Sequence, residues 1–201
     1  KTKDRIPQLY DKNSDYHYDT ISAFIKSVRG SDPDAAIYWM AVMLEGGEKP
    51  EFILRRLIIL ASEDIGNADP QALQIAVAGF QATNIIGMPE SAIILSQITA
   101  YLASAPKSNA SYIAINKAQK KVRKNGTPDI PLHLRNATTN LMKKENYGKD
   151  YKYPHNYSDK FVKENYFPRG IQETFYQPTN SGYENYIRER LIKNWPERYN
   201  T

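Results

Sequence analysis

Glycines and prolines punctuate the first ninety residues at helical intervals. Gly30, Gly46, Gly66 and Gly87 each stand a few residues ahead of Pro33, Pro50, Pro70 and Pro89. Proline suits the first turn of a helix, where its missing N–H has no intrahelical acceptor to lose, and glycine suits the residue after the last turn. Ser31-Asp32, Asp69 and Ser108 add side-chain oxygens that can accept the first free N–H groups. The spacing predicts helices from about Asp19 or Thr20 to Arg29, from Pro33 to Leu44, and from Pro50 to Gly66. Three more follow, from Asp69-Pro70 to about Ile86, from Pro89 to Leu102, and from Ser108 to Lys124. No stretch before residue 126 alternates with period two, so a sheet is not expected there. Short connections between successive helices predict an all-α body.

Within that series, Glu51–Pro70 is the most apolar stretch. Phe52, Ile53, Leu54, Leu57, Ile58, Ile59 and Leu60 cover nearly the whole circumference, the pattern of an inner or interface helix. Arg55 and Arg56 lie in its middle, with Glu63 and Asp64 near its end. Charge on such a helix is costly unless paired. Two readings stay open: ion pairs within the chain, or arginines reaching another subunit, since guanidinium forks are favoured at interfaces. Acid–base chemistry by Glu63 and Asp64 is disfavoured, because adjacent helical side chains diverge by about 100°.

The chain of 201 residues is long enough for one good core. It has no cysteine, which removes disulfides and thiolate metal sites. No apolar run approaches the roughly 18 residues of a membrane span, and no signal-peptide pattern opens the chain, so a soluble intracellular protein is expected. Lys1-Thr2-Lys3-Asp4 is neither an initiator methionine nor a plausible helix start, and a piece of a longer chain is expected. The net charge of +5 is unevenly spread: residues 1–106 carry 9 basic and 13 acidic side chains, and residues 107–169 carry 14 and 5. A basic middle on a near-neutral chain is an electrostatic footprint for an anionic partner.

The run after Ser108 is amphipathic. Ile115, Ala118 and Val122 form the expected inward stripe, while Lys117, Lys120, Lys121 and Lys124 line another face with Arg123 beside them. Such a stripe is either a solvated face or a contact for phosphates; Arg135, Lys143, Lys144, Lys149 and Lys152 would extend it. A seventh helix is expected from His133 to about Glu145. From Tyr147 to Tyr176, aromatics alternate with lysines, glycines and prolines. This texture fits an arm strapped over the helical body or a neighbouring subunit, or a platform for single-stranded bases. A last helix is expected from Tyr183 to Lys193. His17, His133 and His155 have no second ligand at zinc spacing. No phosphate-binding loop, dinucleotide fingerprint or nucleophile elbow is present.

Several ordered landmarks carry a family resemblance. They include His17-Tyr18-Asp19, Lys26–Ala36, Arg55-Arg56-Leu57, Ala61–Gly66, Ala68–Leu73, Ile86–Glu90, Ala105–Asn109, His133–Ala137 and Tyr176-x-Pro178-Thr179-x-x-Gly182-x-Glu184, with Tyr10-Asp11-Lys12 upstream. From about residue 10 to 191 the chain resembles the C-terminal half of the MgsA/RarA family, the replication-associated recombination AAA+ ATPases whose eukaryotic relative is the Werner helicase-interacting protein. The resemblance implies an all-α helical bundle similar to the clamp-loader C-terminal collar, with an irregular aromatic-rich C-terminal arm. It implies residues 1–30 as the end of the ATPase lid, 31–145 as a helical oligomerisation domain, and 146–201 as arm and terminal helix on that domain. It implies homotetramers, with Arg55, Arg56, Glu63 and Asp64 in the interface or in buried ion pairs. DNA, single-stranded or at ends and gaps, and single-strand-binding protein are the implied partners, in the cytoplasm at the nucleoid, with no membrane. ATP and magnesium belong to an upstream module; no cofactor and no catalytic residue is expected in this chain. The alternative is a helical module that binds DNA directly through Lys117, Lys120, Lys121, Arg123, Lys124 and Arg135. Ser14, Ile25, Gly47 and Lys49 depart from the family pattern, and Ile25 leaves no histidine role at that position.

Overall fold

A computed structural model describes residues 15–200. Tyr10-Asp11-Lys12 and Ser14 lie outside the described residues. The helices are α1 (Asp15–Arg29), α2 (Pro33–Glu45), α3 (Pro50–Leu60), α4 (Gln71–Ile86), α5 (Ser91–Ser104), α6 (Ala110–Asn125), α7 (Asn140–Lys144), α8 (Glu184–Asn194) and α9 (Pro196–Tyr199). A π-helical turn, Ala61–Ile65, and a 3-10 turn, Gly66–Ala68, extend α3. Among the described residues there is no strand.

The punctuation acts as its chemistry requires. Asp32 Oδ1 accepts the Ala35 N–H at 2.9 Å ahead of Pro33, and Asp69 Oδ1 accepts the Gln71 N–H at 3.0 Å. Helix α1 is already present at Asp15, earlier than expected. His17 belongs to its inward stripe with Ile21, Phe24 and Val28, and Nδ1 of this buried imidazole lies 3.3 Å from the Glu48 carboxylate.

Two compact units divide the chain. The first holds the described residues to Tyr112 together with Pro178–Tyr186, and the second holds Ile113–Gln177 with residues from Ile187 onward. These bounds differ from the divisions at 30/31 and 145/146 implied by the resemblance. In the first unit α5 is the hub, packing against α1, α2, α3 and α4. Its Leu95, Ile98 and Leu102 meet Ile53, Leu54, Leu57 and Leu60 of α3 and Met40 and Met43 of α2 in one core. Helix α3 is not apolar-buried all round: Arg55 and Ile59 face solvent.

The second unit has no fully buried residue among those described. Rings and polar ties hold it. Phe161 meets Trp195 edge-on at 5.4 Å, and the Arg198 guanidinium sits 4.2 Å over Trp195 and 5.2 Å over Phe167. Over residues 147–176 the only regular pieces are two three-residue 3-10 turns. The helix expected from His133 to Glu145 is a correction: a 3-10 turn, Leu132–Leu134, precedes the short α7. Asn136-Ala137-Thr138-Thr139 between them is a poor helix former, and Thr139 Oγ1 restarts the chain by accepting the Met142 N–H at 3.2 Å. The expected inward stripe of α6 is a second correction, since Ile115 is 53% and Val122 58% exposed.

Candidate functional site

Where α3 ends, the backbone loosens from α to π register, and the Gly66 N–H reaches the Ala61 carbonyl. Single π turns insert one residue and re-aim the side chains around them. Here the π turn contains Asp64, whose carboxyl lies inside the fold. Arg29, at the last residue of α1, donates from Nε to Asp64 Oδ1 at 2.6 Å, and its Nη2 lies 3.7 Å from Glu63. The Arg29 guanidinium is held above its ordinary pKa, first by that hydrogen bond. Glu63 and Asp64 are thus ion-paired within the chain, but to Arg29 and not to Arg55 or Arg56. Arg29 was not among the residues singled out in the sequence. Its partner lies 35 positions away, and only the helix-terminal position of Arg29 marked it.

The two arginines of α3 stand apart from these acids. Arg55 is exposed and lies 5.9 Å from the Phe52 ring centroid. Arg56 is half-buried; its Nε is shielded from solvent and has no hydrogen-bond acceptor in the described structure.

Next to the π turn, the motif from Pro178 to Glu184 closes on the first unit. The Ser108 N–H donates to the Asp64 carbonyl at 2.8 Å, and the Tyr183 N–H donates to the Ala68 carbonyl at 2.8 Å. Glu184 is completely buried. Its Oε2 accepts from Ser108 Oγ at 2.6 Å, from the Thr179 N–H at 2.8 Å and from Thr179 Oγ1 at 2.9 Å. Gly182 has φ +52, and a Cβ there would lie 2.2 Å from the Ala68 carbonyl oxygen. Lys107 Nζ closes the end of α5 by donating to the carbonyls of Leu102, Ala103 and Ala105 at 3.0, 2.9 and 2.6 Å. Burial pushes its pKa down, against the opposing pull of Asp64.

In the second unit the cations divide into two groups. Lys117, Lys120, Arg123 and Lys124 of α6 are exposed, whereas Lys121 is bonded to Glu173. Arg135 is occupied by its own loop: Nε donates to the Ile130 carbonyl at 2.7 Å, and Nη1 to the Tyr147 hydroxyl at 3.1 Å. Its guanidinium also stacks 5.1 Å from the Tyr147 ring centroid. That geometry makes Arg135 a brace of residues 130–148. Tyr151, Tyr153, Tyr157 and Tyr166 are exposed. Among the described residues no group of three or more His, Cys, Asp or Glu side chains could hold a metal ion, and no helix is long and apolar enough to cross a membrane.

The family model for the MgsA AAA+ ATPase C terminal matches residues 30–195. Replication-associated recombination protein A of Coxiella burnetii is 47% identical over 184 residues, which are 90% of this chain and 42% of that protein. The protein of that name in Escherichia coli K12 is 46% identical over 184 residues, 90% of this chain and 41% of its own. ATPase WRNIP1 of Dictyostelium discoideum is 44% identical over 175 residues, 86% of this chain and 20% of its own. The chain therefore spans less than half the length of each of these relatives. It has the all-helical make-up, the ordered landmarks and the matched span of one family: it belongs to the MgsA AAA+ ATPase C-terminal family.

Proposed function

We propose that this chain is the C-terminal oligomerisation region of a clamp-loader-related AAA+ ATPase that acts in replication-fork maintenance, recombination and repair. In this reading it joins copies into a homotetramer and performs no chemistry itself. ATP and magnesium belong to the part of the relatives that it does not match, and DNA and single-strand-binding protein are partners of the whole assembly in the cytoplasm at the nucleoid. The relatives' names support the cellular setting. The observation that carries the assembly role is Arg56. A donor shielded from water without an acceptor costs about 1–3 kcal/mol, and Glu63 and Asp64 are already held by Arg29. A second copy would supply a carboxylate to the part of the half-buried Arg56 side chain that stays open to solvent. In sedimentation velocity the wild-type chain is expected near four times 23.0 kDa, and Arg56→Ala is expected to weaken association at least tenfold. A wild-type chain that stays monomeric at micromolar concentration contradicts the proposal.

A second reading, direct DNA binding, is favoured by one observation. The second unit carries 17 basic against 8 acidic side chains, a net of +9, and four cations of α6 are exposed. Lys117, Lys120, Arg123 and Lys124 would contact phosphates and give no base preference. Arg135, which also shapes its own loop, belongs to that reading with them.

A further inference from the structure

Helices α4 and α5 contain no charged side chain at all, and from Pro70 to Pro106 the only one is Glu90. This occurs in a chain in which 24% of residues are charged. The exposed arc of α4 runs through Leu73, Val77, Ala78 and Ile85 with neutral amides between them. At the turn into α5 the arc continues: Ile85 is 81% exposed, Ile93 73%, and Ile86 and Met88 both more than half. Large apolar side chains exposed in number along one short stretch mark a contact surface. Depletion of charge alongside them is the mark of an interface centre.

We propose that this charge-free face of the α4–α5 hairpin is where two copies of the chain meet. The proposal rests on the assembly role above and adds the face that serves it. Charge selects the occupant. A two-fold contact sets each patch against itself, so a patch that carries one sign of charge repels its copy. The hairpin avoids that repulsion almost entirely. The other exposed apolar stripe, Ile115 and Val122 of α6, does not, because Lys117, Lys120, Arg123 and Lys124 accompany it. A strongly charged partner would find only Glu90 on the hairpin to pair with. A membrane surface is disfavoured because interfacial helices carry lysine or arginine beside their apolar face, and none occurs between Arg56 and Lys107.

The test compares sedimentation velocity of the wild type, Ile85→Glu/Ile93→Glu, and the control Ile115→Glu/Val122→Glu, with helical circular dichroism on each. The hairpin pair is expected to lose association by more than a hundredfold while keeping its helicity, and the control is expected to assemble like the wild type. An assembled hairpin variant overturns the choice of face and leaves the assembly role standing; a monomeric wild type overturns both. Should the glutamate pair lose helicity, Ile93→Cys replaces it, since the chain has no other thiol. A bifunctional maleimide is then expected to give a covalent dimer with Ile93→Cys and not with Val122→Cys, and equal yields at the two positions overturn the proposal.

Discussion

Glu184 places a carboxyl where no solvent reaches, and Ser108 and Thr179 supply every hydrogen bond described for its Oε2. Replacing it with alanine takes the acceptor from two hydroxyls and a backbone N–H, each worth about 1–3 kcal/mol where it stays buried. Gly182→Ala acts on the same closure by another route, forcing a Cβ against the Ala68 carbonyl at a left-handed φ. Both variants are expected to unfold at lower denaturant than the wild type, and an unchanged midpoint for Gly182→Ala would contradict the closure described. Tyr101 gives a pH signature. Its hydroxyl donates to Asp69 Oδ2 at 2.5 Å, and that bond pushes its pKa up to about 12 from 10.0. A pKa raised by folding favours the protonated form, so this stabilisation is full below about pH 10 and fades toward pH 12. The stability difference between wild type and Tyr101→Phe is therefore expected to hold constant from pH 7 to 9 and to shrink above about 10, measured by denaturant unfolding.

Among elements, the helix starts and stops of α2 to α5 were legible because proline, aspartate and glycine act locally. Long-range choices were not. Arg29, rather than the neighbouring Arg55 or Arg56, takes Asp64 because the π turn brings that carboxyl to the end of α1, and no spacing rule foresees an inserted residue. The seventh helix failed for a local reason that propensity could have caught, the run of asparagine and threonines before α7. Helix α6 was legible as amphipathic, yet its apolar stripe faces solvent, since periodicity gives a face and says nothing of what covers it. Its cations supply a test at this scale. If Lys117, Lys120, Arg123 and Lys124 contact single-stranded DNA, log K is expected to fall against log salt with a slope near about −3. The slope should flatten by roughly 0.7 for each lysine changed to glutamine, and salt-independent or absent binding by fluorescence anisotropy would contradict direct recognition.

At the scale of the molecule, the two compact units differ in both charge and packing. The first, counted from Lys1, is net −4 and holds the buried apolar core; the second is net +9 and relies on rings and surface ties. Acid and base are thus segregated, as are the charge-free hairpin and the lysine-bearing helix. This arrangement fits a part whose task is to join copies through one region while another meets an anionic partner. The solution mass of the chain is the most direct test of that account. Light scattering at micromolar concentration is expected to give four times 23.0 kDa, independent of added ATP; a single-chain mass under the same conditions contradicts it.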